Sequence, residues 1–125
     1  VAEWLASRVE VKRVLFPALA SDPGHAIWKR DFNGASSLFG LALECDELTA
    51  KRWVDALELF GIGSSWGGFE SLVAFNYMAG LREVTRWSET PFLIRMHIGL
   101  EDPEDLIQDL EQGLCELAPQ AGSPS

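Results

Sequence analysis

Apolar side chains at Ala50, Trp53, Val54 and Leu57 are interleaved with Lys51, Arg52, Asp55 and Glu58. Spacings of three and four residues gather the first set on one helical face and the second on the other, which predicts a helix beginning at Asp46. A second apolar face, made of Leu106, Ile107, Leu110, Leu114 and Leu117, follows the pair Asp102-Pro103. An Asp side chain accepts an orphan N–H at a helix start, Pro suits the first helical position, and Glu104 and Asp105 favour the positive end of the helix dipole. Asp22-Pro23 is the same device and predicts a short helix reaching about Phe32.

Between these helices lie short β-branched or apolar runs: VEVKRVLFP (9–17), SLFGLAL (37–43), LFGIG (59–63), SLVAF (71–75) and FLIRMHIGL (92–100). Each is short and bounded by turn residues, as strands are. The run at 37–43 is almost wholly apolar, as expected of a strand covered on both faces. Strands and helices in irregular alternation predict an α/β fold of the α+β sandwich type. Its sheet is small, mixed or antiparallel, with three to four strands and helices packed on one face. Residues 1–8, VAEWLASR, read as the last turns of a helix severed from a preceding domain, with Trp4 and Leu5 exposed. The small domain is expected over 9–118, followed by a disordered tail over 119–125.

Composition narrows the function more than the fold. Ten Lys and Arg face 19 Asp and Glu, a net charge of −9, and a surface of that sign repels nucleic acid. No apolar run approaches the roughly 20 residues that cross a bilayer, which together with the lack of a signal-peptide pattern points to the cytosol. Cys45 and Cys115 form no CxxC pair, and His25 and His97 add too few ligands for a transition-metal centre. Two reduced structural thiols are expected.

Along the strand at 92–100, Ile94, Met96, Ile98 and Leu100 share a face assigned to the core, and Leu93, Arg95, His97 and Gly99 share the other. An Arg within an apolar strand needs an anionic partner. An internal ion pair to Glu70 or Glu101 is one solution; a ligand carboxylate held by the planar guanidinium fork is the other. IGSSWGGFES (62–71) offers a matching half, because Gly63, Gly67 and Gly68 permit close backbone approach, with amide N–H groups turned to an anion. Ser64, Ser65 and Trp66 add hydroxyls and an aromatic wall, although a plain turn would use the same glycines. His97 on that face reads as a hydrogen-bonded packing residue, and Lys12, Lys29 and Lys51 read as solvated.

SSWGGFESL (64–72), followed about twenty residues later by IRMHIGLEDPEDLIQDLEQGL (94–114), resembles the C-terminal part of the pyridoxal-phosphate enzymes of cysteine and methionine metabolism. PALASDPGHAIWKRDFNGASSLFGLAL (17–43) is similar to that family's passage from large to small domain. The γ-synthases and γ-lyases usually carry Leu at the position of Trp66 and Ser-Val at that of His97-Ile98, so the resemblance leans to the carbon–sulfur β-lyase branch. It implies the C-terminal domain of a fold-type I enzyme. In that enzyme Arg95 grips the substrate α-carboxylate, the Trp66 backbone amide helps to hold it, and Ser65 lies near the cofactor lysine. It also implies pyridoxal phosphate bound to the intact enzyme, a cystathionine-like thioether amino acid as substrate, a role in methionine biosynthesis, an N-terminal cofactor domain as partner and a homo-oligomer. The family's Ser-x-Thr-Lys setting is absent; the nearest stretch, Leu48-Thr49-Ala50-Lys51, falls in a predicted helix. The resemblance thus implies no catalytic residue in this chain, which alone should be inactive. A stand-alone amino-acid-binding module and a γ-type enzyme are the competing functions.

Overall fold

The computed structural model describes residues 1–82, 84, 87 and 90–115. Among them the order is α1 (Ala2–Ala6), β1 (Val11–Leu15), α2 (His25–Asp31), β2 (Leu38–Leu43), α3 (Glu47–Ala56), β3 (Gly61–Ile62), β4 (Leu72–Tyr77), β5 (Phe92–His97) and α4 (Pro103–Leu114). The strands form one sheet in the order β1-β2-β5-β4-β3, antiparallel except for the β3–β4 pair. This mixed sheet has one strand beyond the three to four expected. β3 keeps only two residues of the predicted run at 59–63 and pairs in parallel with Leu72 and Val73, a register that no local pattern announces.

The central strand β5 carries the alternation that organises the molecule. Ile94 lies between Leu41 and Phe75, and Met96 between Phe39 and Val73. These residues belong to one core with Trp53 and Val54 of α3 and Leu106, Leu110 and Leu114 of α4. Each large side chain removed from water there contributes roughly 1.5–3 kcal/mol. Where α3 meets α4, an added Cβ on Gly113 would lie 2.9 Å from the Trp53 indole, so a glycine is what lets the ring enter.

The predicted helix starts divide. Asp46 caps α3 by accepting the Thr49 N–H at 2.8 Å, and Asp102 caps α4 by accepting the Glu104 N–H at 2.8 Å, with Pro103 in the first turn. Asp22 does not start α2, which begins at His25. Its carboxylate instead accepts the N–H groups of Phe16 at 3.0 Å and Gly24 at 2.8 Å, closing a turn between β1 and α2.

Two further expectations are corrected. Leu5 is wholly buried and Trp4 partly so, beneath the Arg8 guanidinium at 5.3 Å, because α1 folds back onto β1. Leu100 is exposed, since β5 ends at His97 and the strand alternation ends with it. Leu117 and the tail at 119–125 lie outside the described residues.

Candidate functional site

The face of β5 turned away from the core positions the site. Arg95 sits at mid-strand, paired with Gly40 of β2 on one side and Ala74 of β4 on the other. Directly opposed residues share a face, so the guanidinium stem is flanked by the smallest side chains available. The segment 63–70, which joins β3 to β4, lies over this face and follows β5 residue by residue.

Several polar groups of the segment meet complementary groups on or just after β5. The Arg95 Nη2 donates to the carbonyls of Ser64 and Ser65, the latter at 3.0 Å. His97 Nδ1 accepts the Gly67 N–H at 3.5 Å, and His97 Nε2 donates to the Gly68 carbonyl at 3.1 Å. The Leu100 N–H donates to the Phe69 carbonyl at 2.8 Å. Glu101 accepts the Ser71 N–H at 2.9 Å and the Ser71 hydroxyl at 2.7 Å, while Ser71 Oγ accepts the Gly99 N–H at 2.8 Å. Gly99 permits the closest approach: an added Cβ would stand 2.3 Å from the Phe69 carbonyl oxygen. Gly67 turns the segment at φ 85°, where an L side chain is strained.

Of the two solutions for Arg95, the internal ion pair is not realised among the described residues. Glu101 is engaged with Ser71, and no carboxylate lies within ion-pair distance of the guanidinium. Arg95 Nε is buried without a hydrogen-bond partner. Burial opposes ionisation of Glu101, yet the Ser71 N–H and hydroxyl together hold its carboxyl below the ordinary value.

In this structure the segment turns carbonyls, not amides, to Arg95. A guanidinium carries donors only, so the groups that meet it are carbonyls. Every peptide here is trans, which turns the N–H groups of Ser65 and Trp66 to the opposite side. Of the glycine amides, Gly63 donates to Val73 and Gly67 to His97. Those of Ser65, Trp66 and Gly68 meet no acceptor among the described residues. The Trp66 indole is 63% exposed, and Ile62, Phe69 and Leu100 are exposed as well.

Sequence reasoning placed Arg95, Trp66 and Ser65 in the site and treated His97 as packing. It missed Ser37, whose hydroxyl lies 2.8 Å from His97 Nδ1, and the Ser71–Glu101 clasp. Gly99, two residues beyond His97 on the same alternation, was the available signal. Among the described residues no cluster of His, Cys, Asp or Glu could hold a metal, and no helix is long and apolar enough to cross a membrane. Neither do the lysines fit a cofactor role. Lys51 Nζ binds Glu47 at 2.8 Å and the Tyr77 hydroxyl at 2.7 Å, contacts that raise its pKa. Lys12 lies on the edge strand β1 and Lys29 is exposed on α2.

A family model described as Cys/Met metabolism PLP-dependent enzyme matches residues 1–115. A cystathionine beta-lyase of Bordetella avium is 47% identical over 119 residues, covering 94% of this chain and 30% of the relative. An L-alanine/L-glutamate racemase of Wolbachia pipientis is 43% identical over 122 residues, with 94% and 30% covered. The crystal structure of cystathionine gamma synthase from Xanthomonas oryzae in complex with cystathionine superposes with a TM-score of 0.77 at 35% identity, covering 92% of this chain and 31% of that one. The chain thus spans about a third of the length of the relatives it matches. Their likeness runs through β2, the Gly-rich segment and β5 together, and on that extent of agreement the chain belongs to the Cys/Met metabolism pyridoxal-phosphate-dependent enzyme family.

Proposed function

We propose that this chain is the part of a pyridoxal-phosphate-dependent carbon–sulfur β-lyase that binds the substrate's α-carboxylate, with cystathionine as substrate. The observation that carries the reading is Arg95: a mid-sheet guanidinium that, among the described residues, meets carbonyls and no carboxylate, with a buried Nε left unpaired. A carboxylate would displace the weaker carbonyl contacts, because a charge-assisted pair is stronger than a charge–dipole contact. The Trp66 N–H joins that grip once the Ser65–Trp66 peptide turns over.

The relatives support this division of labour. A β-lyase, a racemase and a γ-synthase share this stretch, and a carboxylate, which every amino-acid substrate carries, is a group that one shared guanidinium could serve in all three. Pyridoxal phosphate, when bound, supplies the electron sink that lets an amino acid lose its α-proton. None of Lys12, Lys29 and Lys51 is placed to carry it, so this chain's share is orientation, and the 125-residue chain alone should not release pyruvate from cystathionine. In the intact enzyme we place the cofactor on an N-terminal domain, in a cytosolic homo-oligomer with both cysteines reduced.

Replacing Arg95 by Ala in the cofactor-loaded enzyme should lower kcat/KM for L-cystathionine on the order of a hundredfold or more, since a buried charged contact is worth 2–5 kcal/mol. Arg95→Lys should fall between, keeping charge without the fork. The cofactor's visible absorbance should be unchanged in both. Undiminished turnover by Arg95→Ala would remove the assignment. The likeness to a γ-synthase favours one second reading, γ-elimination, which would yield 2-oxobutanoate where β-elimination yields pyruvate.

A further inference from the structure

We propose that His97 is the positioning residue of the carboxylate site, fixing the Ser64–Trp66 backbone over Arg95 by holding both sides of Gly67–Gly68. The inference rests on the carboxylate reading above. An imidazole buried to 2% exposure in contact with an N–H and a C=O must supply one acceptor and one donor. The Gly68 carbonyl can only accept, so Nε2 carries the proton; Nδ1 has one lone pair, which the Ser37 hydroxyl at 2.8 Å and, more weakly, the Gly67 N–H at 3.5 Å share. The contacts fit the Nε2–H tautomer.

Ser37 secures that tautomer. Its hydroxyl is 2.8 Å from Nδ1 and so donates to it, while its own carbonyl accepts the Ile98 N–H at 2.9 Å. The imidazole is thereby tied to the β2 end of the sheet on one side and to the Gly-rich segment on the other. Gly67, at φ 85°, and Gly68, around which a Cβ would meet nothing within 4 Å, have no side chains to anchor them. The backbone here is held by what grips its polar groups. Arg95 holds the carbonyls before the turn, and Glu101 holds Ser71 after it. Beyond these, the stretch is fixed at Phe69 by the Leu100 N–H, so among the described residues His97 alone grips the backbone of Gly67 and Gly68.

Three variants of the cofactor-loaded enzyme test this. His97→Leu fills the space without polar atoms, His97→Gln restores one donor and one acceptor, and Arg95→Ala reports on the carboxylate reading independently. The readouts are KM and kcat for L-cystathionine, the inhibition constant of propanoate, and amide hydrogen exchange of the peptide covering 62–71. For His97→Leu we expect KM and the propanoate constant to rise roughly tenfold, kcat to change less, and exchange in 62–71 to quicken while the core strands stay protected. His97→Gln should recover most of both effects. If His97→Leu matches the parent in exchange and in propanoate binding, the ring only packs and the proposal is overturned. If Arg95→Ala leaves propanoate binding intact, the carboxylate reading falls, and the exchange data then decide the positioning role alone.

Discussion

Glycines that look alike in the sequence differ sharply once their surroundings are known. At Gly99 an added Cβ would stand 2.3 Å, 2.6 Å and 2.7 Å from backbone atoms of Phe69, Glu70 and Ser71. Backbone held by the Ser71–Glu101 clasp cannot step aside, so Gly99→Ala should cost about 2–4 kcal/mol and shift the thermal midpoint accordingly. At Gly67 the space is open but φ is 85°, and Gly67→Ala should cost roughly 1–2 kcal/mol through strain alone. Gly68 has open space and no such dihedral, so its alanine variant should melt with the parent. An equal loss at all three would show that the segment does not press on β5. The cysteines separate as clearly. Burial, reinforced by the charges of Asp46 and Glu44, pushes the Cys45 thiol up to about 11, leaving on the order of one thiolate in a thousand at pH 8. Cys115 is exposed. A disulfide reagent at pH 8 should therefore modify Cys115 quickly and Cys45 far more slowly; equally fast reaction of both thiols in the folded protein would contradict the packing around β2.

At the scale of elements, what was legible is what is local. Ala50, Trp53, Val54 and Leu57 announce the buried face of α3, and all are buried. Leu93, Arg95 and His97 announce the outer face of β5. The competing partner for Arg95 was not decided by sequence, because Ser64 and Ser65 are about thirty residues away and a carbonyl leaves no mark on composition. The true start of α2 was hidden for a similar reason: Asp22 caps a turn whose other end is Phe16. Asp109 shows how a charged residue on an apparently polar helical position can be structural. Buried on α4, it accepts the N–H groups of Glu58 at 2.9 Å and Leu59 at 2.8 Å just after α3. Asp109→Ala would orphan both, and a loss of about 1–3 kcal/mol in chemical denaturation is expected, with Asp109→Asn recovering part of it. A neutral result would mean that water satisfies those amides and that the α3–α4 junction is looser than its geometry.

For the molecule as a whole, two electrostatic effects of opposite sign act on different stretches of the pH scale. A net charge of −9 disfavours the compact state at pH 7, and that self-repulsion fades as the pH approaches the isoelectric point near 4.6. Specific carboxylates act the other way. Asp46 is held below its ordinary range by the Thr49 hydroxyl and N–H, Glu47 by Lys51 and Tyr77, and Glu101 by Ser71 against the opposing effect of burial. A carboxylate depressed in the folded state stabilises it fully above its unfolded value, roughly 4, and loses that contribution as pH falls through the folded value below it. The thermal midpoint should therefore hold or rise between pH 7 and about 5 and drop steeply below about 4. Salt separates the two effects. About 0.5 M sodium chloride screens diffuse repulsion more than short hydrogen-bonded contacts, so it should raise the midpoint at pH 7 and leave it nearly unchanged near pH 5. A midpoint that instead falls with salt at pH 7 would place the surface ion pairs, Lys51 with Glu47 and Arg30 with Asp31, above the net charge in setting stability.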